Sequence, residues 1–210
     1  VTQAPITLRS TDVSKVYDGS TVAVSSLVIS SGEVFTGDTL SGGSYSFDNK
    51  NVGTGKTVTT SGASLSDGTN SDNYLISYAA NTNSSISQAP ITLSSTDVSK
   101  VYDGSTSAAS SLVISSGTVF TGDTLSGGSY SFDNKNVGTG KAVTTSGASI
   151  SDGTNSDNYL INYAANTNST ITPYIINLSG KKVIDNNLQV DSGRLSLGVL
   201  VGNERLVLAG

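Results

Sequence analysis

The sequence predicts an all-β protein built of tandem modules of about 85 residues. Three observations lead there. Residues 3–86 align with residues 88–171 without a gap and with eight substitutions, so the chain contains one unit twice. Short runs of alternating large and polar side chains recur along each copy, the period of a half-buried strand. The runs are separated by Gly with Asp or Asn, the residues that accept φ > 0 or hydrogen-bond their own backbone in turns. Strands at this short, regular spacing predict a small sandwich, Ig-like in the first instance, with a β-grasp-like module carrying one short helix as the alternative.

Taken in order, Pro5-Ile6-Thr7-Leu8 reads as a short strand after a proline. KVYDGST, at residues 15–21 and again at 100–106, reads as a strand end (Val16, Tyr17) followed by an Asp18-Gly19 turn. Residues 23–28 are the best helix candidate, short and Ser-rich. Val22 and Val24 become Ser and Ala in the second copy, which argues that they lie outside the deep core. Residues 39–47, with Tyr45 and Phe47 two apart, and residues 56–66, rich in Val and Thr, read as strands. Tyr74, Ile76 and Tyr78 alternate and share one strand face. At the joint, SSISQAPITL (residues 84–93) reads as almost continuous extended chain with no Gly-rich linker. Pro90 lacks an N–H and fixes its φ, so it is expected to end pairing in the old sheet and stiffen the crossing into a rod-like array.

The repeat boundaries give three segments: residues 1–85, residues 86–170, and residues 171–210 as a truncated, diverged third copy. In the third, Lys182-Val183-Ile184-Asp185 stands where Lys-Val-Tyr-Asp is expected, with Asn186 for Gly, and Gly202-Asn203-Glu204 aligns near Gly37-Asp38-Thr39. Half a sheet exposes strand edges, so this segment is expected to pack on the second copy, pair with another chain or fray. The opening VTQAPITL lacks a basic stretch followed by an apolar one, and the whole reads as an excerpt from a longer protein.

Composition narrows the function. There is no Cys, His, Met or Trp. That removes the common zinc sites, thiol nucleophiles and Ser-His-Asp triads, and each module must stand on its apolar core without disulfides. Charged residues are 13% of the chain and the formal net charge is −5. Clustered Lys and Arg, which phosphates and anionic lipids reward, are missing, so neither nucleic acid nor a membrane is an expected partner. No apolar run is long enough for a spanning helix.

Each candidate for chemistry has a plainer reading. A Tyr beside an Asp in KVYDG could grip a sugar, but strand alternation and an Asp-Gly turn explain every residue of it. Residues 67–73 (DGTNSDN) place oxygen ligands at alternate positions, which makes Asp67 and Asp72, with their counterparts Asp152 and Asp157, the calcium candidates. The EF-hand order of a Gly at the sixth position and a Glu at the twelfth is absent, and an Asx-rich turn accounts for the segment better. Residues 51–57 (NVGTGKT) miss the spacing of a phosphate loop and read as a hairpin loop. Lys15, Lys50 and Lys56 could form an isopeptide bond with Asn, which would need a buried Lys, an Asn and an acid in contact. No catalytic residue and no cofactor is expected.

KVYDGST, FDNKNVGTGKTVTTSGASLS and SDNYLISY, in that order, resemble the YDG and MBG-type repeats of large bacterial surface proteins, among them filamentous-haemagglutinin-like adhesins exported by two-partner secretion. The resemblance covers both full copies, and LSLGVLVGNERLVLAG looks like the front half of a related repeat. It implies an extracellular, repetitive β module on the bacterial cell surface, within a long adhesin or biofilm matrix protein, without catalytic residues. The expected role is a structural stalk or spacer whose partners are neighbouring repeats. The alternative is weak multivalent binding of glycan or matrix polysaccharide, repetition supplying avidity. Each full copy has four Tyr and two Phe, about what its own core would use.

Overall fold

The computed structural model describes residues 1–69, 73–155, 157–182 and 194–206. Their regular structure is almost entirely β-strand, and no α-helix occurs among them. The first repeat has eight strands: β1 (Ala4–Ser10), β2 (Ser14–Val16), β3 (Val22–Ala23), β4 (Leu27–Ser31), β5 (Thr39–Phe47), β6 (Gly53–Ser66), β7 (Tyr74–Tyr78) and β8 (Asn81–Ser87). They form a three-stranded sheet in the order β4-β1-β7 and a five-stranded sheet in the order β2-β8-β6-β5-β3.

In β1 the residues Ile6, Leu8 and Ser10 are buried and the positions between them are not, the alternation of a strand with one core face. β1 pairs antiparallel with β4 and parallel with β7. β5 and β6 form a long antiparallel ribbon from Thr39↔Ser66 to Phe47↔Val58. Residues 48–52 connect them, so Gly53 to Thr57 of the expected hairpin loop belong to β6 itself, where its pairing with β8 shifts register. At one end of β6, Leu65 packs with Ile6, Leu8 and Tyr74, flanked by Leu27, Leu40 and Ile76. At the other end Val58 is buried, as are Val13, Phe47 and Ile86. Each such side chain withdrawn from water contributes about 1.5–3 kcal/mol.

The helix expected over residues 23–28 is two short strands, β3 and β4. Val22 and Val24 are 64% and 89% exposed, as their substitutions suggested, while Ala23 between them is buried. Both serines are engaged by Thr11, far back in the sequence: the Ser26 backbone carbonyl accepts from Thr11 N (3.1 Å) and Ser25 Oγ lies 2.8 Å from Thr11 Oγ1. Hydroxyls that find such partners compete with the i→i−4 ladder a helix would need.

The second repeat follows the first: β9 (Ala89–Ser95), β10 (Ser99–Val101), β11 (Leu112–Ser116), β12 (Thr124–Phe132), β13 (Gly138–Ser151), β14 (Tyr159–Tyr163) and β15 (Asn166–Thr172). Its sheets run β11-β9-β14 and β10-β15-β13-β12. With Ser107 in place of Val22, the counterpart of β3 shrinks to a single bridge, Ser107↔Ser131. Only Gln88 separates β8 from β9, so the chain passes between repeats extended, as the sequence predicts. Beyond the second repeat, β16 (Leu178–Gly180) and β17 (Leu195–Leu197) pair antiparallel. The Val183-to-Asn186 stretch of the third copy lies outside the described residues.

Compactness does not follow the repeat boundary. Unit 1 comprises Val1–Thr92, Ser116–Gly127 and Ser149–Asn162, and unit 2 comprises Leu93–Ser115, Gly128–Ala148 and Tyr163–Gly210. Unit 1 therefore holds the whole first repeat together with the 116–127 and 149–162 segments of the second. Unit 2 has its own core of Val98, Ala108, Phe132, Val143 and Ile171, with Tyr102 and Tyr130 against it.

Candidate functional site

The repeated KVYDGST builds a lysine-centred loop. β2 aligns parallel with β8, and the pairing continues through Tyr17 N to Ser87 O (2.8 Å). Asp18 Oδ1 then accepts from Ser20 N (2.9 Å), and Gly19 takes φ +77°. Lys15 Nζ donates to Asp18 Oδ1 (2.8 Å), Ser20 O (2.9 Å) and Val22 O (2.9 Å), and sits 5.5 Å above the centroid of Phe47. Lys100 repeats the arrangement with Asp103, Ser105, Ser107 and Phe132. Asp103 is held down to about 2, first by the hydrogen bond from Lys100 and then by those from Ser105. The motif's Lys and Asp are thus occupied with each other. Its Tyr is what the loop presents.

In unit 1 that tyrosine is seated in a socket made by the second repeat's segments. Tyr17 is buried with its ring edge-on to Phe120 (5.7 Å between centroids, 77°) and to Tyr159 (5.4 Å, 71°). Its hydroxyl donates to Asp123 Oδ2 (2.9 Å), which also accepts from Tyr159 Oη (2.6 Å). Lys50 Nζ pairs with Asp123 Oδ1 at 3.0 Å and lies 5.6 Å over the Tyr17 ring. Gly19 completes the fit, because a Cβ there would stand 3.0 Å from Cβ of Phe120. Beside the socket, fully buried Asn158 accepts from Val52 N (2.9 Å) and donates to Asn51 Oδ1 (3.2 Å).

The Asp123 side chain is only 1% exposed. Burial pushes its carboxyl up, but hydrogen bonds from Tyr159, Lys50 and Tyr17 outweigh that and carry it below the usual aspartate value. Burial raises both Tyr17 and Tyr159, and Asp123 raises them further. Contacts with Tyr17 and Asp123 raise Lys50. At neutral pH the socket holds one carboxylate, one ammonium and two phenols, each in its paired form.

Unit 2 contains a reduced version of the same contact. Tyr102 Oη donates to Glu204 Oε1, Lys135 Nζ lies 3.5 Å from that oxygen and 5.8 Å over the Tyr102 ring, and a Cβ on Gly104 would meet Val201 at 3.0 Å. Glu204 N bonds Val201 O (3.2 Å) as Asp123 N bonds Phe120 O (3.0 Å). This corrects the alignment of the third copy: Glu204, not Asn203, stands in the place of Asp38 and Asp123, and Val201 in that of Phe35 and Phe120. Of the three fates expected for this segment, residues 201–204 follow the first and pack on the second copy's Tyr-Asp-Gly loop.

The other candidates are structural in their surroundings. Asp67 Oδ1 accepts from Thr69 N (2.8 Å) and Thr69 Oγ1 (2.9 Å), and its Oδ2 from Asn73 N (3.2 Å). Asp152 does the same with Thr154 and Asn158. Asp157 is exposed and its N–H bonds Thr154 O, while Asp72 lies outside the described residues. No group of three acidic, His or Cys residues that could hold a metal occurs among the described residues. Lys56, 7% exposed, does meet an Asn and an acid: Asn49 Oδ1 at 2.5 Å and Asp48 Oδ1 at 2.9 Å. Lys141 with Asn134 and Asp133 repeats this. Lys15 and Lys50 pair with carboxylates instead.

Sequence reasoning singled out Tyr17 and Lys50 but missed their partners, Phe120, Asp123 and Tyr159. A signal existed: the diverged third copy keeps an apolar residue and an acid three apart, Val201 and Glu204, where Phe35 and Asp38 stand in the first. Fold and joint together define the class as a tandem all-β repeat protein. The YDG domain matches residues 2–83 and again residues 87–170, and the chain belongs to that family. No curated protein and no solved structure is significantly similar to it.

Proposed function

We propose that the chain is a spacer: repeats of a secreted bacterial surface adhesin that hold an adhesive region away from the cell. The observation that carries this reading is the seating of Tyr17 on Asp123, with one residue, Gln88, between β8 and β9. Polar contacts and aromatic packing are spent on joining one repeat to the next. Tethered modules with such contacts gain stability from their neighbours, the behaviour of repeat arrays. Side chains from both sheets of the first repeat share one buried cluster, which favours a small sandwich of the Ig-like kind over a β-grasp module for the repeat.

Weak multivalent glycan binding remains a second reading, favoured by Tyr78 and Tyr163, which sit at equivalent positions of the two repeats and are about two-fifths exposed. One screen separates the two. The chain is passed over arrays of glycans and matrix polysaccharides, beside a Tyr78→Ala/Tyr163→Ala double variant. The spacer reading expects no saturable binding. Saturable binding lost in the double variant would replace it with an adhesive array.

A further inference from the structure

We propose that the first repeat carries an open socket for the Tyr-Asp-Gly end of another YDG repeat, formed by Phe35, Asp38, Asn73 and Tyr74. The four residues correspond, 85 positions earlier, to Phe120, Asp123, Asn158 and Tyr159, which receive Tyr17 and Lys50 in unit 1. The open socket has the geometry of the filled one. Tyr74 Oη donates to Asp38 Oδ2 at 2.6 Å and accepts from Phe35 N at 3.0 Å, and the filled site has the same two distances. The rings of Phe35 and Tyr74 stand 6.0 Å apart at 33°, against 6.3 Å and 27° for Phe120 and Tyr159. A binder that does not rearrange avoids an ordering cost on association.

What differs is occupancy. Phe35 is 51% exposed and Asn73 is exposed, whereas Phe120 is half-buried and Asn158 is fully buried. Oδ1 of Asp38 meets no donor among the described residues, while Oδ1 of Asp123 takes Lys50. The missing pieces are therefore a phenol that donates to Asp38, an ammonium beside it, and a glycine that lets the loop approach Phe35. Tyr17, Lys50 and Gly19 supply this set to the filled socket, and Tyr102, Lys135 and Gly104 supply it to Glu204 and Val201 in unit 2. The occupant that fits is a further copy of the repeat, joined head to tail. A head-to-tail contact uses two different surfaces of each repeat and leaves one of each unfilled at the ends of a row, so it allows an array to grow.

The test lengthens the full chain by splicing a second copy of residues 3–87 directly ahead of Gln3, which keeps the 85-residue period. The spliced copy carries Glu33→Asp and Ser77→Thr, both at exposed positions, so that its own peptides differ in mass from those spanning the original residues 33–38 and 73–77. Amide hydrogen exchange is followed by mass spectrometry over residues 33–38 and 73–74, in the original and the lengthened chain. The expected result is slowing of about tenfold or more on lengthening, since occlusion and tethered contact raise local protection. Asp38→Ala in the lengthened chain should return the original rate. A second variant leaves the socket's own sequence intact: alanine in place of the spliced copy's tyrosine corresponding to Tyr17 should also restore fast exchange. Unchanged exchange on lengthening, or slowing that survives both variants, overturns the proposal. Residues 118–123 report separately on the joint behind the spacer reading: their exchange should slow little on lengthening and speed up in Tyr17→Ala.

Discussion

Thr60 and Thr145 carry buried hydroxyls that meet no hydrogen-bond partner among the described residues. A buried hydroxyl without a partner has lost water and gained nothing. Thr60 lies on β6 opposite Tyr45, where a β-branched side chain suits the strand. Thr60→Val, or the same change at Thr145, should therefore raise stability by about 1 kcal/mol. It would be read as a higher urea midpoint with an unchanged slope. Ser84 is the opposite case, because its buried Oγ accepts from Val13 N (3.0 Å). Ser84→Ala should lower stability by about 1–2 kcal/mol, leaving that N–H unpaired. Lys56 poses a different question. Burial pushes the carboxyl of its partner Asp48 up, but the hydrogen bonds from Lys56 and the Asn49 N–H together outweigh that and carry it below the usual aspartate value, so it is ionised at neutral pH. That carboxylate holds Lys56 Nζ in an ion pair at 2.9 Å, whereas a bond to the Asn49 carbonyl carbon needs a free lone pair on the nitrogen. Intact mass should equal that of the sequence, and the loss of one ammonia per repeat would show that the isopeptide bond forms after all.

Gly32 fixes how β4 returns to β1. It takes φ +83°, and a Cβ there would stand 2.4 Å from the Pro5 carbonyl oxygen. Gly117 repeats both features, with its virtual Cβ 2.5 Å from Pro90 O. The obstacle is backbone, so it cannot rotate away. Gly32→Ala should destabilise by more than about 1 kcal/mol, combining backbone strain with the clash. Ser31→Ala, one residue earlier at an exposed position, should stay within about 0.5 kcal/mol, and equal urea midpoints for the two variants would contradict the account. At this scale much of the fold was legible. β7 carries Tyr74, Ile76 and Tyr78 at every second position, β5 ends on Tyr45 and Phe47 two apart, and Gly with Asp or Asn marks the turns. The start of β8 was harder to see, because its stabilising contacts are distant in sequence: Asn81 is buried by bonds to Ser10 O (3.1 Å) and Asp12 Oδ1 (2.7 Å). The 23–28 segment misled for the same reason, its serines being satisfied by Thr11 rather than by a helix. The socket was the least legible part. Tyr17 and Asp123 are 106 positions apart, and near-identity of the copies hides which matched residues meet.

Across the whole chain, the Tyr17–Asp123 contact makes the stability of the first repeat depend on residues of the second, and that dependence has a pH signature. The Asp123 pKa is depressed in the folded state, so its contribution is fully present above the ordinary value of 3.8 and is lost as pH falls through the lower folded value. Tyr17 and Tyr159 are raised above the ordinary 10.0, so ionising them is harder in the folded chain, and stability falls again above that pH. Asp123→Asn keeps the shape but removes the charge that Lys50 and the two phenols address. At pH 7 it should cost about 1.5–3 kcal/mol, the range for hydrogen bonds to a charged group. The cost should shrink as the pH drops below 3.8, because the native chain then loses the same charge. Denaturation curves of both proteins from pH 2 to 7 make the comparison. Converging curves at low pH place the joint's electrostatics at Asp123. Curves that stay parallel would mean that the joint rests on the Tyr17, Phe120 and Tyr159 rings alone. In that case Tyr17→Phe, which keeps the ring, should be nearly neutral, whereas the charged joint predicts a loss of about 1 kcal/mol for it.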